Sequence, residues 1–255
     1  MTGSGLIDAL GVPPAALVDR RVPKTVLVEH GAPTPGDKRH INDWIEELRW
    51  VAALKPTTVG VPEYRDAVRE YLEIAVLLLV LRPEARETGR IVELVHRAVP
   101  YPVLLVTEDG PARTAGLSVA HKRWSQGEAG QTVLDGEVTS VKLDAMSEPS
   151  LLAATVSAFR FDLQPRMNMF TAYQGWMSVV IAFQAARITG SLTVASSLPE
   201  TTERQAALRE YERLEGEIAR VRAAAGRERQ MARRVEANQI IKQLEAAQAA
   251  ARKLL

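Results

Sequence analysis

Residues 71–107 read YLEIAVLLLVLRPEARETGRIVELVHRAVPYPVLLVT. Ile74 to Leu81 are eight apolar residues in a row. A bilayer-spanning helix needs about 20, so the run is too short to cross a membrane. It fits a buried strand over Tyr71–Leu81, bounded by Arg82-Pro83. Next, Ile91, Leu94, Val95 and Ala98 recur at helical spacing, and the helix they predict ends at Pro100. Pro102–Thr107 (PVLLVT) then predicts a second buried strand. The segment is a strand–helix–strand unit, and Glu108-Asp109-Gly110 suits a hairpin turn into the next strand.

Working outward, Lys24–Glu29 (KTVLVE) and Thr57–Val61 (TTVGV) have the short aliphatic texture of strands. Ile41, Trp44, Ile45, Leu48, Val51 and Ala52 make one apolar face of a helix over about 36–54, with Asp37 near its start. On the other side lie predicted strands Ala115–His121 (AGLSVAH) and, roughly, Thr132–Lys142. The order strand, helix, strand, strand, helix, strand is the ferredoxin-like β-α-β-β-α-β pattern, extended by two strands. The expected class is therefore α+β, a mixed sheet followed by helices.

Three regions follow from texture: a sheet domain over 1–150, a helical segment over 151–199 and a helical tail over 201–255. In the middle region Met169, Phe170, Tyr173, Trp176, Met177, Val180, Ile181 and Ile188 have helical spacing, and Gly190 suits the C-terminal cap. Such a stripe is core rather than a cofactor site. The tail has no proline, and Tyr211 is its only aromatic residue. It carries two heptad seams, Ala207, Tyr211, Leu214, Ile218, Val221, Ala225 and Ala237, Ile240, Leu244, Ala247, Ala251, Leu254, out of phase across Gly226. A single coiled coil keeps one phase. The simplest consequence is an antiparallel hairpin of helices over about 201–225 and 229–255. The alternative is one longer helix pairing between chains, a homo-oligomer.

The chain has 255 residues, with 46% hydrophobic and 25% charged, the profile of a globular protein. Net charge is +1, so global charge points to no class of partner. The chain has no cysteine, which excludes disulfides, thiolate nucleophiles and iron–sulfur clusters. The four histidines (His30, His40, His96, His121) form no metal-binding spacing, so no metal and no cofactor is expected. The N-terminal MTGSGLIDALG lacks the pattern of a signal peptide, which predicts a cytoplasmic protein. There is no phosphate-binding GxxxxGK[ST] loop, no GxSxG elbow and no carboxylate–lysine pair of nuclease type, so no catalytic residue is assigned.

Three basic groups remain. His121-Lys122-Arg123-Trp124 ends a predicted strand and could hold a phosphate and stack a base. Strand alternation prevents all four from facing one way, and the plainer alternative is a solvated strand end with Trp124 over the core edge. His96-Arg97 lies at a helix C-terminus, where the helix dipole alone explains cations. Arg227, Arg229, Arg233 and Arg234 cluster at the hairpin tip, in a tail holding 12 Lys and Arg against 8 Asp and Glu. Such a tip suits DNA, RNA or an acidic partner. Val235, Ile241 and Leu255 lie off the predicted seam, and with Met231 they could dock a partner protein.

The segments RVPKTVLVEHG, LRWVAALKPTTVGVP, REYLEIAVLLLVL, VHRAVPYPVLLV, LSVAHKRW and GRERQMARRVEANQIIKQLE, in this order, resemble the bacterial family catalogued as domain of unknown function 4391. The resemblance covers most of the chain and is weakest around residues 143–165. It implies a genomic setting beside superfamily-2 helicases and DNA methyltransferases in antiphage defence clusters, and it carries over no functional residue. The expected function is a non-catalytic accessory subunit of a restriction–modification-like complex, docking a helicase or methyltransferase through the hairpin. The alternatives are a nucleic-acid-binding module and an unrecognised nuclease with His96 or His121 as general base.

Overall fold

The computed structural model describes residues 1–110, 113–128, 130–144 and 148–255. In chain order the elements are α1 (Gly3–Ala9), β1 (Leu17–Arg21), α2 (Lys24–Gly31), α3 (Pro35–Trp44), β2 (Ile45–Leu54) and α4 (Pro56–Val59). Then come β3 (Tyr64–Arg65), β4 (Glu70–Tyr71), β5 (Ile74–Leu81), α5 (Thr88–Ala98), β6 (Val103–Asp109) and β7 (Thr114–Val119). They are followed by β8 (Lys122–Trp124), β9 (Thr132–Leu134), β10 (Thr139–Lys142), α6 (Pro149–Ala158), α7 (Met169–Thr189), α8 (Leu198–Arg227) and α9 (Met231–Arg252). The chain divides into two compact units, Met1–Val180 and Ile181–Leu255, and the division falls inside α7.

The first unit is built on a mixed six-stranded sheet in the order β1-β2-β5-β6-β7-β10. The parallel pair β5–β6 lies at its centre, in register from Ala75↔Val103 to Val80↔Glu108, and α5 makes the crossover. The other neighbours are antiparallel. All eight residues of β5 are buried, because both faces of the central strand are covered. On one face Ala75, Leu77, Leu79, Val103 and Leu105 share a core with Leu27, Ile41, Ile91, Leu94 and Val95 from α2, α3 and α5. On the other face α1 lies against β5, β6 and β7. The Tyr173 hydroxyl of α7 donates to Val103 O at 2.7 Å. The close approach of α2 to α5 needs Gly31, where an added Cβ would stand 2.8 Å from Leu94 O.

The α+β class with a mixed sheet and a C-terminal helix pair is as expected. The ferredoxin-like order is not what the sheet has, and three segments account for the difference. KTVLVE is the helix α2, not a strand: Lys24, Leu27, Val28 and Gly31 face inward at helical spacing while Thr25 and Val26 are exposed. TTVGV forms the single turn α4, opened by Pro56 and closed by Gly60 in the left-handed conformation at φ 66. The helix expected over 36–54 stops at Trp44, and Ile45–Leu54 is the strand β2. Register shifts at Ile45/Glu47 and Trp50/Ala52 break its alternation, so its apolar spacing imitates a helix. The stretch 132–142 is two strands, since Gly136 (φ 90) turns the chain between β9, which pairs with β8, and β10, at the edge of the main sheet. The turn after β6 enters Gly110 at φ 71, and its next residues, 111–112, lie outside the described residues.

In the second unit α8 and α9 form a helical hairpin. At 30 and 22 residues they are about 45 and about 33 Å long. α8 runs through Gly226 to Arg227, and the chain leaves helical geometry at Glu228. The α8 seam is as expected, with Leu214 and Ile218 buried and Tyr211, Val221 and Ala225 half-buried. The α9 seam is rotated from the expected one. Ala237, Ile241, Leu244, Gln248, Ala251 and Leu255 are its less exposed residues, while Ile240 and Leu254 are 41% and 69% exposed. Arg222 pairs with Glu245 across the hairpin at 2.5 Å, and Arg252 donates to Ile188 O at the end of α7.

Candidate functional site

The HKRW segment starts just after β7, and three of its four residues form β8. Its members separate by environment. The His121 ring is held at both nitrogens, with the Tyr71 hydroxyl 2.6 Å from Nδ1 and Gln174 Oε1 2.7 Å from Nε2. These partners define one neutral arrangement: Lys122 N–H donates to the Tyr71 hydroxyl, Tyr71 donates to Nδ1, and Nε2–H donates to Gln174. Burial, opposed by the Gln174 bond, lowers the His121 pKa to about 4, and it raises that of Tyr71 above the usual phenol range. Phe170 and Tyr173 pack around the imidazole.

Lys122 is buried rather than available to a phosphate, and so corrects its assignment as a nucleic-acid contact. Its ammonium donates to His96 O and, at 2.7 Å, to Val99 O at the end of α5. The helical partner of His96 O would be the N–H of residue 100, which is Pro100 and has none. The lysine replaces that donor, and burial lowers its pKa to about 8. His96 is also fully buried, with Nε2 2.9 Å from Ser118 Oγ, Nδ1 unpartnered and a pKa lowered to about 3 by burial, then by Lys122. His121, saturated and neutral, and His96, without exposed surface, are poorly placed to act as the general base of a nuclease.

Arg123 and Trp124 remain half-buried at the surface. Arg123 reaches a cleft of about 860 Å³ between α5 and the β8–β9 pair, which Arg97 lines from the helix. Arg97 thus has surroundings beyond the helix end that explains its charge. Glu93 Oε1 lies 2.5 Å from Arg97, and its other oxygen 2.9 Å from Arg90. Asp135 lies 3.7 Å from Arg123 and 3.0 Å from Arg69. Among the described residues no three His, Asp or Glu side chains gather to hold a metal ion, and no helix is long and apolar enough to cross a membrane.

At the hairpin tip Arg227, Arg229, Arg233 and Arg234 are all exposed, and Arg233 lies 3.8 Å from Glu228. Of the docking candidates, Met231 and Val235 are 71% and 49% exposed. Ile241 and Leu255 are not on that outer face: they belong to the seam against α8, a consequence of its rotation. The Tyr71 and Gln174 partners of His121 were not foreseen, because residues 50 or more apart in the chain leave no local pattern.

The family model described as Domain of unknown function (DUF4391) matches residues 10–247, nearly the whole chain. No curated protein and no solved structure matches it.

Proposed function

This chain belongs to the DUF4391 family, and on that premise we propose that it is a non-catalytic accessory subunit of a DNA-targeting bacterial defence complex. Its hairpin docks a helicase or DNA methyltransferase. The observation that carries the reading is the state of α9: of its 22 residues only Ala251 is buried. A helix ordered at a cost of about 1–2 kcal/mol per residue in backbone entropy recovers little from so thin a seam. A partner covering Met231 and Val235 would complete its burial.

The exposed arginine tip supports a second reading, in which the hairpin also contacts nucleic-acid phosphates. Affinity purification of the tagged chain from a host carrying its native gene cluster tests the first. The expected result is a helicase or methyltransferase of that cluster in stoichiometric yield. A chain recovered alone would refute the docking role.

A further inference from the structure

The cleft beside α5 is distinct from the hairpin and lies wholly within the first unit. Its volume, about 860 Å³, is that of a small-molecule site, for which about 300–1,000 Å³ is usual. Arg97 on the helix and Arg123 on β8 supply a guanidinium from each wall. Each shares its carboxylate with another arginine, Glu93 with Arg90 and Asp135 with Arg69. Arg90 is also held by Asp37, at 2.9 and 3.1 Å, so Glu93 stays with Arg97, while Arg123 shares Asp135 and donates to Trp124 O; each guanidinium still keeps N–H donors for an anion.

The rest of the lining is not that of a plain anion hole. Gln126 adds an amide, which suits the hydroxyl and amino groups of a ligand. Val133 and Val138 add half-buried aliphatic surface, which suits the face of a ring.

A second observation concerns Gly89, the second residue of α5. Its backbone is not in the positive-φ region that favours glycine, and a Cβ built there meets nothing within 4 Å. Glycine is a poor helix residue, so neither conformation nor packing calls for it. Gly89 lines both the cleft and a smaller chamber of about 130 Å³ on the sheet, so the two adjoin at a position that carries no side chain. That chamber has mixed walls, Leu81, Val92 and Leu117 beside Thr107 and the Asp109–Lys142 pair. Thr107 and Asp109 lie toward the C-terminal end of β6, the end of a parallel pair where α/β proteins place ligands.

We propose that this cleft binds a nucleoside phosphate, free or as a unit of single-stranded nucleic acid. Arg97 and Arg123 hold the phosphate, and the junction beside Gly89 admits the base.

The test uses the full chain. Calorimetric titration with AMP, GMP, CMP and UMP is set beside fluorescence anisotropy of a labelled single-stranded oligonucleotide, for the wild type and for Arg123→Gln, Gly89→Tyr and Gly89→Ala. Removing a charge-assisted hydrogen bond to phosphate in Arg123→Gln should weaken binding by about tenfold or more. Gly89→Tyr should weaken it comparably by filling the junction, and Gly89→Ala should leave it within about twofold, since a methyl group has room. Binding of mononucleotides with this pattern identifies the free nucleotide as a ligand. Binding of the oligonucleotide alone with the same pattern identifies nucleic acid. Should Gly89→Tyr melt early, Arg123→Gln decides. No binding of either probe, or binding that Arg123→Gln leaves unchanged, overturns the assignment, and neither result bears on the hairpin's partner.

Discussion

Acid should destabilise this protein well before its carboxylates titrate. His96 and His121 are both neutral in the fold, with pKa values lowered from 6.5 to about 3 and about 4, mainly by burial. In the unfolded chain each takes a proton near pH 6.5. Below that pH the unfolded state binds more protons than the native one, so stability falls as pH falls. Each neutral imidazole costs about 1.4 kcal/mol per pH unit in this window, which reaches down to about pH 4 for His121 and about pH 3 for His96. Together they remove about 3 kcal/mol between pH 6.5 and 5, a large share of the roughly 5–15 kcal/mol typical of a folded domain. Urea unfolding followed by circular dichroism at pH 7.5, 6.5, 5.8 and 5 gives the slope. His121→Gln should halve it, to about 1.4 kcal/mol per unit. A stability flat from pH 7 to 5, or a slope unchanged in His121→Gln, would refute the argument that the Tyr71–His121–Gln174 chain holds a neutral ring.

Three further outcomes follow from the same geometry. Lys122→Met should remove a pH dependence of opposite window: the wild type gains stability as pH rises from about 8 toward 10.5, because the unfolded lysine keeps its proton longer, and the variant should not. Ile241→Asp should cost about 2 kcal/mol or more in hairpin stability by placing a charge in the seam, while Ile240→Asp should cost well under half as much; equal losses in thermal melts would return the seam to its other phase. Replacing Arg229, Arg233 and Arg234 together by Gln should leave the melting temperature unchanged and flatten the salt dependence of any duplex-DNA binding by up to about 0.9 for each arginine that had neutralised a phosphate.

The strand–helix–strand unit over 71–107 was legible because a strand covered on both faces must be continuously apolar, and Ile74–Leu81 is. The long helix α7 and its end at Gly190 were legible for a similar reason, a full-length apolar stripe and a positive-φ glycine. β2 was hidden by its register shifts, and α2 by valines that favour strands locally, whereas its packing on α5 through Gly31 is a tertiary contact. In the tail, alanine-rich sequence leaves the seam underdetermined: Ile240 and Ile241 are adjacent, and only the partner helix decides which one turns inward. Of the HKRW group, alternation along the strand predicted a split but not its terms. That Lys122 replaces the missing N–H of Pro100 depends on residues brought together only by the crossover of α5.

The proposed docking role of the hairpin is tested most directly by Met231→Asp with Val235→Asp in the 255-residue chain, expressed from its native gene cluster. Both residues are exposed, so helix content by circular dichroism should not change. The wild type is expected to co-purify with a helicase or methyltransferase of that cluster, and the doubly substituted chain to lose it. Retention of that enzyme at the wild-type yield would contradict the docking role.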